Sequence, residues 1–204
     1  MIARMLMCLL AMMSFVNPIQ AGLWDTITNF FSEPAEPAPP MIRVLIVHDK
    51  VGTLLEVKGK YRIYDPNTGE HISTRFSGKR KFIQALSDGL RWGEEFPGVH
   101  QLMIVPDNQS ITTIVDGIEY RGSIYVYDIG GSISVVNETY IEDYLNSTLA
   151  LEYREPYPKE ALAAIAIAAR TNAYYQADHS KNKFWDVDAV QVGYQGYAIT
   201  HQSS

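Results

Sequence analysis

The chain has 204 residues, enough for one domain of ordinary size plus a short appendage. It is 47% apolar and 20% charged, a globular rather than disordered composition. The formal net charge of −6 argues against broad binding to a phosphate backbone, so nucleic acid is not an expected partner.

Residues 1–21 read as an export signal. Arg4 supplies the positive start, Met5 to Val16 form an apolar run of about 12 residues, and Pro18 to Ala21 end in a small residue suited to cleavage before Gly22. That run is shorter than the roughly 20 residues a spanning helix needs. The chain is therefore expected in the periplasm or cell envelope. The alternative is an uncleaved N-terminal membrane tether, because Ile19 is bulky for its place three residues before the cut. Cys8, the single cysteine, lies inside this segment. Removing the segment removes thiol catalysis, disulfides and thiolate metal sites together.

Gly22 to Phe31 (GLWDTITNFF) reads as an amphipathic tether, and Ser32 to Pro40 (SEPAEPAPP) as an extended proline-rich linker. The folded domain is expected to span 41–204. Its first part, 41–136, reads mostly as strands: Ile42 to His48, Thr53 to Lys58, Tyr61 to Asp65, Gln101 to Val105, Ile111 to Val115, Ile118 to Tyr120, Ser123 to Asp128 and Ser132 to Val136. Asp116-Gly117 and Gly130-Gly131 are the pairs that tight hairpins use. Phe82 to Trp92 reads as a helix. The basic run before it, Lys79-Arg80-Lys81, reads as a solvated face, with contact to an anionic wall polymer as the alternative.

From 137 to 204 the period changes from two to 3.6. Asn137 is placed as the N-cap of a first helix, with Ile141, Tyr144, Leu145, Thr148 and Leu149 on its apolar stripe. Pro156 ends it. A second helix starts near Pro158 and runs to about Ala177, with Leu162, Ile165, Ala166, Ala169 and Ala173 as its stripe. Its alanines predict burial on more than one side. The expected class is α+β, a strand-rich N-terminal part followed by a two-helix core carrying the site.

Glu152 falls on the first stripe, eleven residues after Ile141 and so about three turns along. Burying an unpaired carboxylate costs several kcal/mol, so such a group raises its pKa and stays protonated, as a general acid must. Two plainer readings stand beside this one. The last turn can fray and leave Glu152 in solvent, or Glu152 can pair with Arg154 or Arg170.

The segment Val135 to Tyr174, VVNETYIEDYLNSTLALEYREPYPKEALAAIAIAARTNAY, resembles the signature of the sporulation stage II protein D, or amidase enhancer, family. The matching elements are Asn137, Glu142-Asp143-Tyr144-Leu145, Glu152, Pro158, Glu160-Ala161-Leu162 and Ala169-Arg170-Thr171, with Tyr120-Arg121-Gly122 upstream. The resemblance covers roughly Ile42 to Gly196. It implies a peptidoglycan lytic transglycosylase acting on glycan strands stripped of stem peptides, with Glu152 as the catalytic acid. It also implies that Arg170 orients Glu152 or holds the substrate. Tyr153 and Tyr194 are placed as further substrate-binding residues, since rings stack on sugars. Tyr157, Tyr174 and Tyr175 lie close in sequence to the same site, and for all five tyrosines filling a core is the plainer reading. The alternative function is a non-catalytic wall-binding activator of a peptidoglycan amidase, which would tolerate loss of Glu152.

The family often holds zinc on a cysteine and histidine cluster after the second helix. Asp186 to Gly196 (DVDAVQVGYQG) has no cysteine, so neither a metal nor any other cofactor is expected. Asp186 and Asp188 read as a turn rather than a calcium loop. The five histidines show no ligand spacing. The family domain usually extends further than Ser204, so the chain is expected to be a fragment or a short variant.

Overall fold

Alternation of apolar and polar side chains governs the first hundred folded residues. The computed structural model describes residues 38–152, 157–180 and 184–197, with backbone alone at 151 and 152. The expected export signal and most of the tether and linker lie outside the described residues.

The strands are β1 (Met41–Lys50), β2 (Gly52–Val57), β3 (Tyr61–Tyr64), β4 (His71–Arg75), β5 (Gly78–Leu86), β6 (Gly89–Trp92), β7 (Glu94–Pro97), β8 (Gln101–Pro106), β9 (Thr113–Val115), β10 (Ile118–Tyr120), β11 (Ser123–Ile129), β12 (Ser132–Tyr140) and β13 (Val187–Asp188). They form a seven-stranded sheet, ordered β13-β1-β12-β11-β8-β3-β4, and a six-stranded sheet, ordered β10-β9-β2-β5-β6-β7. The ladders are antiparallel except where β13 joins β1. One core cluster draws on both sheets: Ile42, Val44, Ile63, Leu102, Ile104 and Ile124 from the first, Leu55, Ile83, Leu90 and Trp92 from the second. Each such aliphatic side chain contributes about 1.5–3 kcal/mol when fully buried. A bulge in the β1–β12 ladder between Leu45 and Val47 lets Leu45 join a small second cluster while Val47 returns to the main one.

The hairpins at Asp116-Gly117 and Gly130-Gly131 form as expected. Asp116 and Gly117 take φ of 49° and 90°, the left-handed pair that matches strand twist in a two-residue loop. The helix expected over Phe82 to Trp92 does not form. Those residues are the β5–β6 hairpin, in which Ile83 pairs with Trp92 and Leu86 with Gly89. Gly89 has φ of 108° and a Cβ there would strike the Phe96 carbonyl, so this backbone is open to glycine alone. The spacing of Ile83, Leu86 and Leu90 mimics a helix, but in the second arm Leu90 and Trp92 are buried and Arg91 between them is exposed, the alternation of a strand.

The expected cap at Asn137 is also corrected. Strand β12 continues to Tyr140, and the first helix, α1, is Ile141–Glu152. Asn137 is a wholly buried strand residue. Its amide Nδ2 donates to the carbonyls of Arg121 (2.8 Å) and Ser123 (3.2 Å), and its Oδ1 accepts from the Tyr194 hydroxyl at 2.7 Å. It thus ties the β10–β11 connection and the last described segment to β12.

Helix α2 (Lys159–His179) follows, with Pro158 as its N-cap, and a short α3 (Ala189–Val192) ends in left-handed Gly193. Burial of α2 on more than one side is not observed. Ala173 and the terminal cap Ser180 are buried, whereas Leu162 is 38% and Ile167 63% exposed. Alanine favours helix intrinsically, and here that propensity rather than packing explains the run.

Candidate functional site

The site expected from sequence rests on the hairpin of α1 and α2. Along α1 the side chains of Ile141, Tyr144, Leu145, Ser147 and Thr148 are buried, and Thr148 returns its hydroxyl to the Tyr144 carbonyl at 3.1 Å. Glu152 is the last residue of α1. Eleven residues at about 100° each bring its backbone position to within about 20° of Ile141 around the helix axis. The backbone at Glu152 is thus helical and in phase with Ile141. Tyr153, like Arg154, lies outside the described residues.

Arg170 is placed against Glu142. Its Nε donates to Oε1 at 2.6 Å and an Nη to Oε2 at 2.8 Å, a two-pronged contact between α2 and the first turn of α1. The hydrogen bond from Arg170 holds the Glu142 carboxyl below its ordinary range, and Glu142 in turn raises the guanidinium. Glu142 and Glu152 are ten residues apart on one helix, about 15 Å of rise. Arg170 thus pins the first turn of α1, about 15 Å of helical rise from the Glu152 backbone.

Tyr194 is buried, with its ring between those of Tyr120 and Tyr144 at 6.0 and 5.8 Å and its hydroxyl given to Asn137. Burial pushes its phenol far up. Its hydroxyl is committed inside the protein, and what remains is a ring edge on a cavity of about 150 Å³.

That cavity brings together residues that sequence reading left without a role. Arg121, Asp143 and Asn146 line it with Tyr197, and a neighbouring cavity of about 210 Å³ shares Arg121 and Asp143. The Arg121 guanidinium lies 3.6 Å from the Tyr197 ring centre and donates to its hydroxyl at 2.5 Å, while its buried Nε has no hydrogen-bond partner among the described residues. Gly122 makes the bend possible: it has φ of 88°, and a Cβ there would strike the Glu138 carbonyl. The Tyr120-Arg121-Gly122 element was visible in the sequence. Its contact with Tyr197, 76 residues away, was not.

Neither acid of the expected turn is available for a cation. Asp186, nearly buried, accepts from the Arg43 backbone N–H (2.7 Å), the Arg43 guanidinium (2.7 Å) and the Ser180 hydroxyl. Asp188 caps α3 through the Val190 and Gln191 N–H groups. Among the described residues no three histidine, cysteine, aspartate or glutamate side chains gather as a metal site would require.

Two sheets over a helical hairpin, with a glutamate closing the first helix, define an α+β class of protein. Residues 129–204 match the family model described as Stage II sporulation protein, SpoIID, and this segment belongs to that family. An uncharacterized protein of Chlamydia pneumoniae is 39% identical over 179 residues, covering 86% of this chain and 65% of its own length. An uncharacterized protein of Chlamydia muridarum is 39% identical over 165 residues, covering 80% and 57%. An uncharacterized protein of Brachyspira hyodysenteriae is 34% identical over 158 residues, covering 77% and 42%. The chain thus spans less than two thirds of the length of these relatives. No solved structure matches it.

Proposed function

We propose that this protein is an exported peptidoglycan lytic transglycosylase that cleaves glycan strands lacking stem peptides. The SpoIID segment supports a cell-wall-related role. The finer reading is carried by one observation: the segment's glutamate before the proline turn closes a helix whose stripe is buried, three turns on from Ile141.

Glu152, in its protonated form, gives its proton to the glycosidic oxygen as the bond to the muramyl anomeric carbon breaks. The resulting carboxylate then takes the proton of that sugar's own primary hydroxyl, whose oxygen closes on the anomeric carbon. The product is an anhydro-muramyl end, and neither water nor a second carboxylate is consumed, unlike ordinary glycoside hydrolysis. Tyr153 serves the sugar as a stacking ring. Arg170 contributes through its remaining Nη, and Tyr194 as part of the buried wall.

The full chain, incubated with peptide-free glycan strands, is expected to release anhydro-muramyl products, and Glu152→Gln to lose them by about 100-fold or more, the scale of acid–base catalysis. Unchanged product release in Glu152→Gln, or none from the unaltered chain, overturns the enzymatic reading. The latter result, with amidase stimulation retained, leaves the wall-binding activator.

A further inference from the structure

One cavity lies far along the chain from the SpoIID segment and is lined by residues of both sheets. It encloses about 300 Å³ and is lined by Arg75, Ser77, Lys79 and Lys81, with Tyr61 and Trp92 behind them. The basic run 79–81 is exposed, as a solvated face would be, and Lys79 and Lys81 from it also border this cavity. In the β2–β5 ladder, β5 advances three residues from Gly78 to Lys81 while β2 advances two, and such a bulge re-aims side chains. Lys81 is held in place by Gly93. A Cβ at Gly93 would meet its Nζ, Cδ and Cε, so the lysine stem lies directly across that backbone.

The charge here is unbalanced. Lys50, Lys58, Lys60, Arg62, Arg43 and Arg170 each pair with a carboxylate. Arg75 is taken by Glu94. Lys79 and Lys81 have no ion-pair partner among the described residues, in a chain whose net charge is −6. Two exposed ammonium groups without ion-pair partners beside one cavity make a favourable place for an anion, and the aromatic floor lowers the local dielectric that strengthens the attraction.

We infer that this cavity binds the carboxylate of an acidic sugar residue in the glycan strand, the lactyl carboxylate exposed when a stem peptide is removed. The inference rests on the proposed function for its choice of glycan. Its volume lies at the low end of small-ligand cavities, about 300–1,000 Å³, which fits one sugar with its acidic substituent rather than a peptide-bearing one. Amide linkage to a stem peptide makes the lactyl position itself neutral and adds bulk there, so a cavity of this size with two lysines beside it reads whether that position is a free carboxylate. This gives the β-part of the chain a role in substrate choice, separate from bond cleavage at Glu152.

The test uses the full chain in the Glu152→Gln background, which keeps binding apart from cleavage. Binding is measured to peptide-free glycan strands and to the same strands with lactyl carboxyls converted to neutral amides. The intact lysine pair is expected to favour the acidic strands about tenfold, the scale of two exposed charge contacts. Lys79→Ser with Lys81→Ser should abolish that preference and leave binding to the amidated strands unchanged, and the Lys→Arg pair should keep it. Equal loss on both strand types, or no change on either, overturns the inference. So does a lysine-dependent preference for a phosphodiester wall polymer over the acidic glycan. If Glu152→Gln still cleaves, the enzymatic reading fails while the lysine result stands by itself.

Discussion

The sheets and the helical hairpin reach stability by different means. In the sheets, side chains from both layers interlock, and eleven large ones, Trp92 and Tyr61 among them, are about 2% exposed or less, with Ile141 of α1 equally buried at the join. The hairpin has little of this. Helix α2 leaves Ile167, Tyr174 and Tyr175 at 63%, 46% and 56% exposed, and a surface ion pair links it to the start of α1. The rigid part of the molecule is therefore the part without the proposed acid, and α1 is what joins the two. Its first turns are packed while its last residue is the proposed acid. Local opening energies follow buried contact, so the hairpin should exchange amide hydrogens well before the strands.

Breaking the packed region should have the largest effect. Trp92 is 2% exposed, lies 5.6 Å from the Tyr61 ring and donates its indole N–H to the Leu55 carbonyl. Trp92→Ala should cost about 3–5 kcal/mol in denaturant unfolding, the range for a large aromatic lost from a core. A loss below about 1 kcal/mol would mean that the two sheets do not depend on one shared core.

The joint between the regions comes next. Asn137→Ala leaves the Tyr194 hydroxyl and two backbone carbonyls without their buried partner, at a cost of about 1–3 kcal/mol. Because Asn137 holds the segment that contains Tyr194, the variant should also disturb the Arg121–Tyr197 contact three residues on. Tyrosine fluorescence and exchange of the Tyr197 amide, which donates to the Glu119 carbonyl, would register that change.

How far the sequence foretells this molecule depends on how local the deciding forces are. Strands such as β10 and β11 alternate within themselves, and their hairpins carry turn residues with a steric reason to be there. The β5–β6 hairpin was misread because its apolar residues also satisfy a helical spacing, and the deciding fact, the Phe96 backbone against Gly89, lies seven residues downstream. Asn137 was misread for a related reason. An asparagine just before a helical stripe is a good cap, and nothing local reveals the three partners that keep it in a strand. For the site, Glu152's place on the stripe follows from periodicity alone. The partner of Arg170 does not, since Glu142 is 28 residues away and any acid on α1 would have served in a sequence argument.

The smallest effects come from two glutamates of opposite sign, one in each region. Glu138 on β12 is raised above its ordinary 4.5, chiefly by burial, against the opposing help of the Tyr125 hydroxyl (3.2 Å) and Arg43. Its folded form prefers the proton, so its contribution is fully present below about pH 4.5 and is lost as pH rises through the folded value. Glu138→Gln, which keeps a neutral acceptor for Tyr125, should therefore raise the melting temperature near neutral pH and give no gain below about 4.5. Glu142 on α1 behaves the other way. Arg170 lowers its pKa, so its contribution is present above about 4.5 and is lost as pH falls through the folded value. Arg170→Gln should thus lower the melting temperature slightly at neutral pH, less so in acid, and added salt should erase the difference because the pair is exposed. Salt should leave the Glu138 effect nearly intact, since that carboxyl is shielded by the sheet. If both variants respond to salt alike, the hairpin and the sheets do not differ in how they are held.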